Sequence, residues 1–464
     1  MRGKTHWNEK PHLSPFEDPM AVYICRLAPE ETAAQVEWSD ARQEGKYILQ
    51  WRGMFMGEPW NSKEVEGYEA YIDGLTTWRD YEVRVARPNG EVGRSRYFRA
   101  AKAPGTVINY LHPHDERYAF SGRALCSPNL IKLPSGKLLA SMDVYHGESA
   151  QTLTLLFKSE DRGKTWHYIC DMYPLFWGKT FYHRGRLYML GCSTEFGDYV
   201  IGASDDEGET WTAPVHLFAG SWTVSDGWEQ SPIPVMTYKG RLYSTGNYVI
   251  GATRRRFPCV LSVDEDADLL DPANWSVSMP YRHNTGDLNI PGSILECMIE
   301  GNLYVSPEGE LRCMLRVDAE GVNVLDGKAA VMKVNVEDPD APLEFSHFAS
   351  MPLGYNSKFI VRYDEISGYY VAIGNLPTEN RNGHNRKVLA LAYSRDSEDW
   401  KLACRLLDSE IEQWFEVGYQ YPSFIFDGDD ILFQLRTATN GARHFHDANY
   451  STFHIIPNFR SLLA

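Results

Sequence analysis

The 464-residue sequence predicts an all-β fold in two parts, a β-sandwich followed by a longer region of repeated strand units. Three observations carry this. Long helical periodicity is nearly absent. In its place stand short apolar or alternating runs, each opened by a turn dipeptide: "SGKLLASMDVY", "RGRLYMLGC", "KGRLYSTGNYV", "EGELRCMLRVD", "SGYYVAIGN" and "GDDILFQLRTA". An eight-residue phrase is also written twice, as "SEDRGKTW" (159–166) and "SDDEGETW" (204–211), about one supersecondary unit apart. Finally, 13 Trp, 27 Tyr and 20 Phe are a generous aromatic content that suits β-structure.

Taken in order, residues 1–19 are Pro-rich and read as an extended arm. Residues 20–102 read as a separate unit, with "AAQVEW", "KYILQWR", "YEAYIDGL" and "DYEVRVARPNGEVGRSRYFRA" as strands at sandwich spacing. Leu75 and Tyr81 in "LTTWRDYEVRV" stand six apart with Trp38 upstream, and in this the unit resembles a fibronectin type III domain, whose tyrosine corner precedes a long strand. "AKAPG" (101–105) reads as a linker. The repeats occupy 106–464.

The twin phrase Ser-x-Asp-x-Gly-x-Thr-Trp resembles the Asp-box of sialidase-superfamily (BNR-repeat) β-propellers. There the Ser and Asp side chains bond backbone N–H groups, Gly takes a positive φ and Trp packs between blades. Weaker echoes are "SVDEDADLLDPANW" (262–275) and "SRDSEDW" (394–400). The resemblance implies a sialidase-like β-propeller, six-bladed by the count of turn-then-strand units, with blades starting near Ala124, Lys179, Ile233, Ser293, Ser357 and Pro422. Seven blades is the alternative, with an extra one inside 279–351. Either "TVINYLH" (106–112) or "NFRSLLA" (458–464) would close the ring.

Net charge is −16, which argues against a general nucleic-acid binder. The eight cysteines are scattered without a Cys-x-x-Cys pair, so buried thiols are expected rather than a metal cage. No apolar leader or membrane-length run is visible, so a cytoplasmic location is expected, or secretion if a signal was removed. No cofactor is expected. "HFHDAN" places His444 and His446 on one strand face as conceivable metal ligands, but no third ligand is identifiable.

In sialidase-like propellers the active face is opposite the Asp-boxes, so the residues after each second strand, and those between blades, are the site candidates. The resemblance places a Glu at the start of blade four (Glu296) and an Arg at the end of its second strand (Arg316). It places a Tyr nucleophile at the start of blade six (Tyr421, with Tyr419 beside it) and an acid after the second strand of blade one (Asp143 or Glu148). One departure matters: the arginine that opens blade one in sialidases is here Cys126, in "CSPNLIKLP".

From residue type and placement, His146 joins the catalytic candidates. Arg316, Arg436, Arg254 of the 254–256 run, Arg381, Arg443, His446 and Trp177 are expected to bind substrate. So many arginines on one face fit an acidic sugar. The expected function is a glycoside hydrolase acting on an acidic oligo- or polysaccharide. The alternatives are a lyase that cleaves a uronate glycan by β-elimination, using His146 or His446 with Tyr421, and a non-catalytic glycan-binding protein. Convergence of Arg316, Arg436 and one arginine of 254–256 on the axis, with Glu296 beside them, is the geometric expectation.

Overall fold

A computed structural model describes residues 7–9, 18, 20–54, 57–146, 151–220, 226–251, 253, 255–381 and 386–463. Near the N-terminus, two antiparallel sheets face each other. One is formed by Tyr23–Pro29, Ala34–Ser39 and Glu69–Ile72. The other runs in the order Asn61–Glu66, Lys46–Gly53, Asp80–Ala86 and Arg96–Arg99. Alternation puts one side chain in two inward: Ala34, Val36 and Trp38 from the first sheet meet Leu49, Val83 and Phe98 from the second. Leu75 and Tyr81 are both buried, and Thr76 N donates to Tyr81 Oη at 2.8 Å, which pins the turn before the long strand.

Among the described residues six sheets follow in chain order, each built of successive antiparallel strands. Their first strands are Ala124–Lys132, Phe176–His183, Asp226–Glu229 with Met236–Tyr238, Ile294–Val305, Phe359–Asp364 and Gly418–Asp427. These first strands pack on their neighbours around a common centre, and the last returns to the first, which makes the region a β-propeller. Thr106–Tyr110 pairs with Tyr450–Ile456 and supplies the outer strand of the last sheet, so the ring closes through "TVINYLH". The C-terminal "NFRSLLA" contributes a 3-10 turn, Phe459–Leu462, instead.

The N-terminal arm does more than extend. Asn8–Glu9 adds a fifth strand to the first sheet against Asp171 and Met172, which covers an otherwise bare edge. Trp7 is fully buried there, and its Nε1 donates to Pro174 O at 2.9 Å.

The twin phrase folds into the same turn twice. Gly163 N donates to Ser159 Oγ and Thr165 N to Asp161, and Gly208 N and Thr210 N repeat this with Ser204 and Asp206. Gly163 has φ +84°, and a Cβ on it would lie 2.1 Å from the Phe453 ring of the last sheet, so only glycine fits. Trp166 and Trp211 are buried, and the Trp166 ring meets Phe453 at 5.5 Å between centroids. The shorter "SRDSEDW" keeps the Ser394–Asp396 bond and puts Ser397 at φ +64°.

The sandwich is fixed to the propeller by buried polar contacts. Arg96 Nε donates to Asp115 at 2.8 Å with both side chains buried, and Arg26 Nε donates to Ile108 O at 2.7 Å.

Candidate active site

The propeller's first strands do not run straight. Ladder register shifts occur at Cys126/Asn129, Phe176/Lys179, Ile299/Asn302 and Gln420/Ser423. Within each shift a non-glycine residue adopts a left-handed backbone: Ser127 (φ 50°), Trp177 (55°), Glu300 (56°) and Tyr421 (54°). Such a conformation costs on the order of 1 kcal/mol, and the bulge re-aims a side chain that the ladder would otherwise hold.

The residue two places on then ties each sheet to its neighbour. Asn129 Oδ1 accepts from Thr180 N at 2.8 Å, and Lys179 Nζ donates to Ser244 Oγ at 2.7 Å. Asn302 Oδ1 accepts from Val361 N at 2.9 Å, and Ser423 Oγ accepts from Leu130 N at 3.0 Å. The bulges therefore sit on a ring of inter-sheet bonds, which gives the site a rigid floor.

On that floor, Arg316 Nη1 donates both to Glu300 at 3.1 Å and to Tyr421 Oη at 3.2 Å. The rest of its fork is taken by Asp318, at 2.6 and 2.9 Å. Three more cations surround Tyr421: Arg436, Lys358 and Arg386 lie 5.1, 5.4 and 5.7 Å from its ring centre. Burial and Glu300 raise the Tyr421 pKa, while Arg316, Arg386 and Arg436 oppose the rise. Lys358 is fully buried, its Nζ has no hydrogen-bond partner, and burial lowers its pKa to about 8.

A second cluster adjoins the first. Arg436 Nη2 donates to Tyr145 Oη at 2.7 Å, and Tyr145 Oη contacts His446 Nδ1 and, at 3.3 Å, Asp447. Burial and the neighbouring Arg436 push the His446 pKa down to about 3, so its imidazole is neutral. On the other flank Arg256 Nε donates to Glu229 at 2.5 Å. Burial raises the Glu229 pKa against the opposing pull of Arg256, and the charges of Glu300 and Glu195 add to the rise.

Of the three arginines expected on the axis with Glu296, Arg316 and Arg436 both lie against Tyr421, whereas Arg256 is paired with Glu229. Other expectations change. Glu296 is exposed and makes no bond to Arg316; the bulge at Ile299/Asn302 gives that place to Glu300. Asp143 is fully buried rather than presented to a ligand. It accepts from Thr154 Oγ1 and, at 2.8 Å, from Trp177 N, and burial raises its pKa to about 7.

His146 is about half exposed and stands 3.6 Å from Asp447. Trp177 packs on Phe176 with ring centroids 4.6 Å apart. Arg381 is exposed, 3.6 Å from Glu379, with its guanidinium 5.7 Å from the Trp414 ring. Arg443 is exposed and lines a small cavity with His146 and Asp447. Glu148 and Arg254 lie outside the described residues; of the 254–256 run it is Arg256 that pairs with a site carboxylate. Tyr419 is buried and bonds Ser409 Oγ, away from Arg316.

Sequence reasoning passed over Glu300, Tyr145 and Lys358. A signal for the first exists: in "CMIEGN" a charged residue interrupts an apolar strand just before a glycine, which is how a bulge is written. Among the described residues no group of three or more His, Cys, Asp or Glu is placed to hold a metal ion.

No family model and no curated protein matches the chain. Solved structures do. A microbial sialidase, Hadza Hz136, has 13% identity and a TM-score of 0.52, over 98% of this chain and 97% of its own. The α-L-arabinofuranosidase Arb93A of Fusarium graminearum, solved with an iminosugar inhibitor, has 14% identity and a TM-score of 0.52, over 78% of this chain and 100% of its own. The Trypanosoma rangeli sialidase has 14% identity and a TM-score of 0.50, over 81% and 57%. At these identities the likeness defines the fold, a sialidase-like β-propeller.

Proposed function

We propose that this protein is a glycoside hydrolase whose site is the cluster around Tyr421. One observation carries the reading: a single nitrogen, Arg316 Nη1, bonds both a phenol and a carboxylate, Tyr421 and Glu300, on a bulged, rigid floor. That couple is a nucleophile with its base. Glu300 takes the phenolic proton as Tyr421 Oη attacks the anomeric carbon. The bond to the leaving oxygen breaks as Glu229 gives that oxygen its proton; burial, opposed by the Arg256 pair, raises the Glu229 pKa and so favours this role. Water, deprotonated by Glu229, then displaces Tyr421, whose oxygen recovers the proton from Glu300, and the configuration is retained overall.

The substrate we propose is an acidic glycan. Arg316 is already occupied by Asp318 and Glu300, so the substrate's carboxylate falls to Arg386 and Arg436. Neither has a carboxylate within ion-pair distance among the described residues, and both are nearly fully buried. The sandwich over 20–102 we take to be fibronectin type III-like, on the strength of its sheet order and the Tyr81 corner.

A β-eliminating lyase is the second reading, favoured by the contact between Tyr145 and a neutral His446 beside Arg436. Incubation with a panel of aryl glycosides and acidic polysaccharides separates the two. Release of the aryl alcohol, lost in Tyr421→Phe and Glu300→Gln, supports hydrolysis. An absorbing unsaturated uronate, lost in His446→Ala but retained in Glu300→Gln, overturns it.

A further inference from the structure

The turn before the sandwich's Asp80–Ala86 strand holds Trp78, an aromatic residue about 63% exposed. Its backbone is left-handed, φ +62°, and is fixed by a 2.7 Å bond from Trp78 N to Ala100 O. A bulky residue in that conformation is unusual, and its side chain gains no burial in return. Trp78 forms one wall of a cavity of about 520 Å³ between the sandwich and the propeller. The size lies in the range of small-ligand sites, and a crevice between two packed units is a common place for one.

The opposite wall is made of two propeller segments, Ser409–Val417 and Thr439–Ala442. The first connects the fifth sheet to the sixth. The second belongs to the loop that also carries His446 and Asp447. Both walls are held in place. Asn440 Nδ2 donates to Lys102 O at 3.0 Å, and Arg99 Nη1 donates to Asn440 O at 3.4 Å. Gly441 has φ +82°, a conformation that favours glycine, where this loop comes up against Arg99.

The cavity is also next to the axial cluster. Phe415, which lines it, accepts a 2.8 Å bond at its carbonyl from Phe445 N, and the Phe445 ring lies 5.7 Å from the Arg386 guanidinium. One aromatic residue thus separates this groove from the cations around Tyr421.

We infer that the Trp78 groove is an outer saccharide subsite, which takes a neutral sugar unit of the same glycan whose scissile end lies at Tyr421; this rests on the glycan reading above. The exposed indole offers a flat apolar face of the kind that covers the C–H face of a pyranose or furanose. Glu412 and Glu416, both exposed along the groove, are acceptors for sugar hydroxyls. The one lining arginine, Arg99, is already bidentate to Asp80 at 2.6 and 2.8 Å. The groove therefore has carboxylates without a cation to spare, which disfavours a uronate or sialate there and selects a neutral unit.

Calorimetric titration of the full chain with neutral pentasaccharides (arabino-, xylo-, galacto- and gluco-series) tests this. At least one should bind, with affinity about tenfold weaker in Trp78→Ala, restored in part in Trp78→Tyr, and retained in Tyr421→Phe. Failure of all four series to bind, or equal affinity in Trp78→Ala, overturns the subsite. Binding that depends on Trp78 in a protein that releases no product from any glycan upholds the subsite while removing the hydrolase reading. Near-ultraviolet circular dichroism of Trp78→Ala, expected to match wild type away from the lost indole, guards against a folding defect.

Discussion

Replacing Asp143 with asparagine distinguishes a carboxyl that holds the fold from one that performs chemistry. Asp143 is fully buried at the junction of the first two sheets, and burial raises its pKa from 3.8 to about 7. A folded-state pKa above the unfolded one means that the folded protein binds the proton more tightly. The associated stability is fully present below about pH 4 and is lost as pH rises to about 7. At about 1.4 kcal/mol per pH unit the loss totals about 4 kcal/mol. Asp171, buried with an acceptor bond from Tyr23 Oη at 3.1 Å, has its pKa raised by burial to about 7 and acts with the same sign. Wild type should therefore lose stability steeply between pH 4 and 7, and Asp143→Asn should lose about half as much, because Asp171 alone still titrates while the amide oxygen accepts from Trp177 N and the amide N–H donates to Thr154 Oγ1. Urea denaturation followed by tryptophan fluorescence at each pH measures both slopes. An unchanged slope in the variant, together with loss of turnover at every pH, would refute this reasoning and restore Asp143 as a proton donor.

Arg316→Ala should lower kcat/KM by about 10²-fold or more, since it releases Tyr421 and strands Glu300 and Asp318; Arg316→Lys should recover only part because the planar fork is lost. Trp166→Ala and Trp211→Ala should each cost about 3–5 kcal/mol in chemical denaturation, with turnover intact in whatever remains folded. Asp115→Ala leaves Arg96 charged and buried, and should cost about 3–5 kcal/mol, with limited proteolysis showing the sandwich loosened from the propeller.

The fold was legible because turn chemistry is local. Gly163 and Gly208 with their Ser, Asp and Trp partners announce a turn that needs no knowledge of the rest of the chain. The turn-then-strand units likewise locate most first strands within a few residues, such as Ala124 for Ala124–Lys132. The site was legible only in part. Arg316 and Arg436 sit in regular strands, where position predicts direction. Glu300 and Tyr421 sit in bulges, where one inserted residue changes which side chain faces the axis, so placing the family's Glu at the start of the strand selected Glu296, while the same placement for the Tyr reached Tyr421. Asp143 was misplaced for a different reason: its sequence neighbours are those of a strand end, but Trp177 from the next sheet closes over it, and contacts from a distant segment leave no local trace.

The strand that seals the ring has a consequence for synthesis. Thr106–Tyr110 leaves the ribosome well before its partner Tyr450–Ile456, which comes 340 residues later counted from 110 to 450. At ~5–20 residues per second that is a wait of about 17–70 seconds with an unpaired edge. The sandwich, complete by then, is placed to guard it: Arg26 donates to the carbonyls of Val107 and Ile108 at 3.1 and 2.7 Å. The N-terminal unit in this light is a nursemaid for a strand that must stay extended, unaggregated and available until Tyr450–Ile456 arrives.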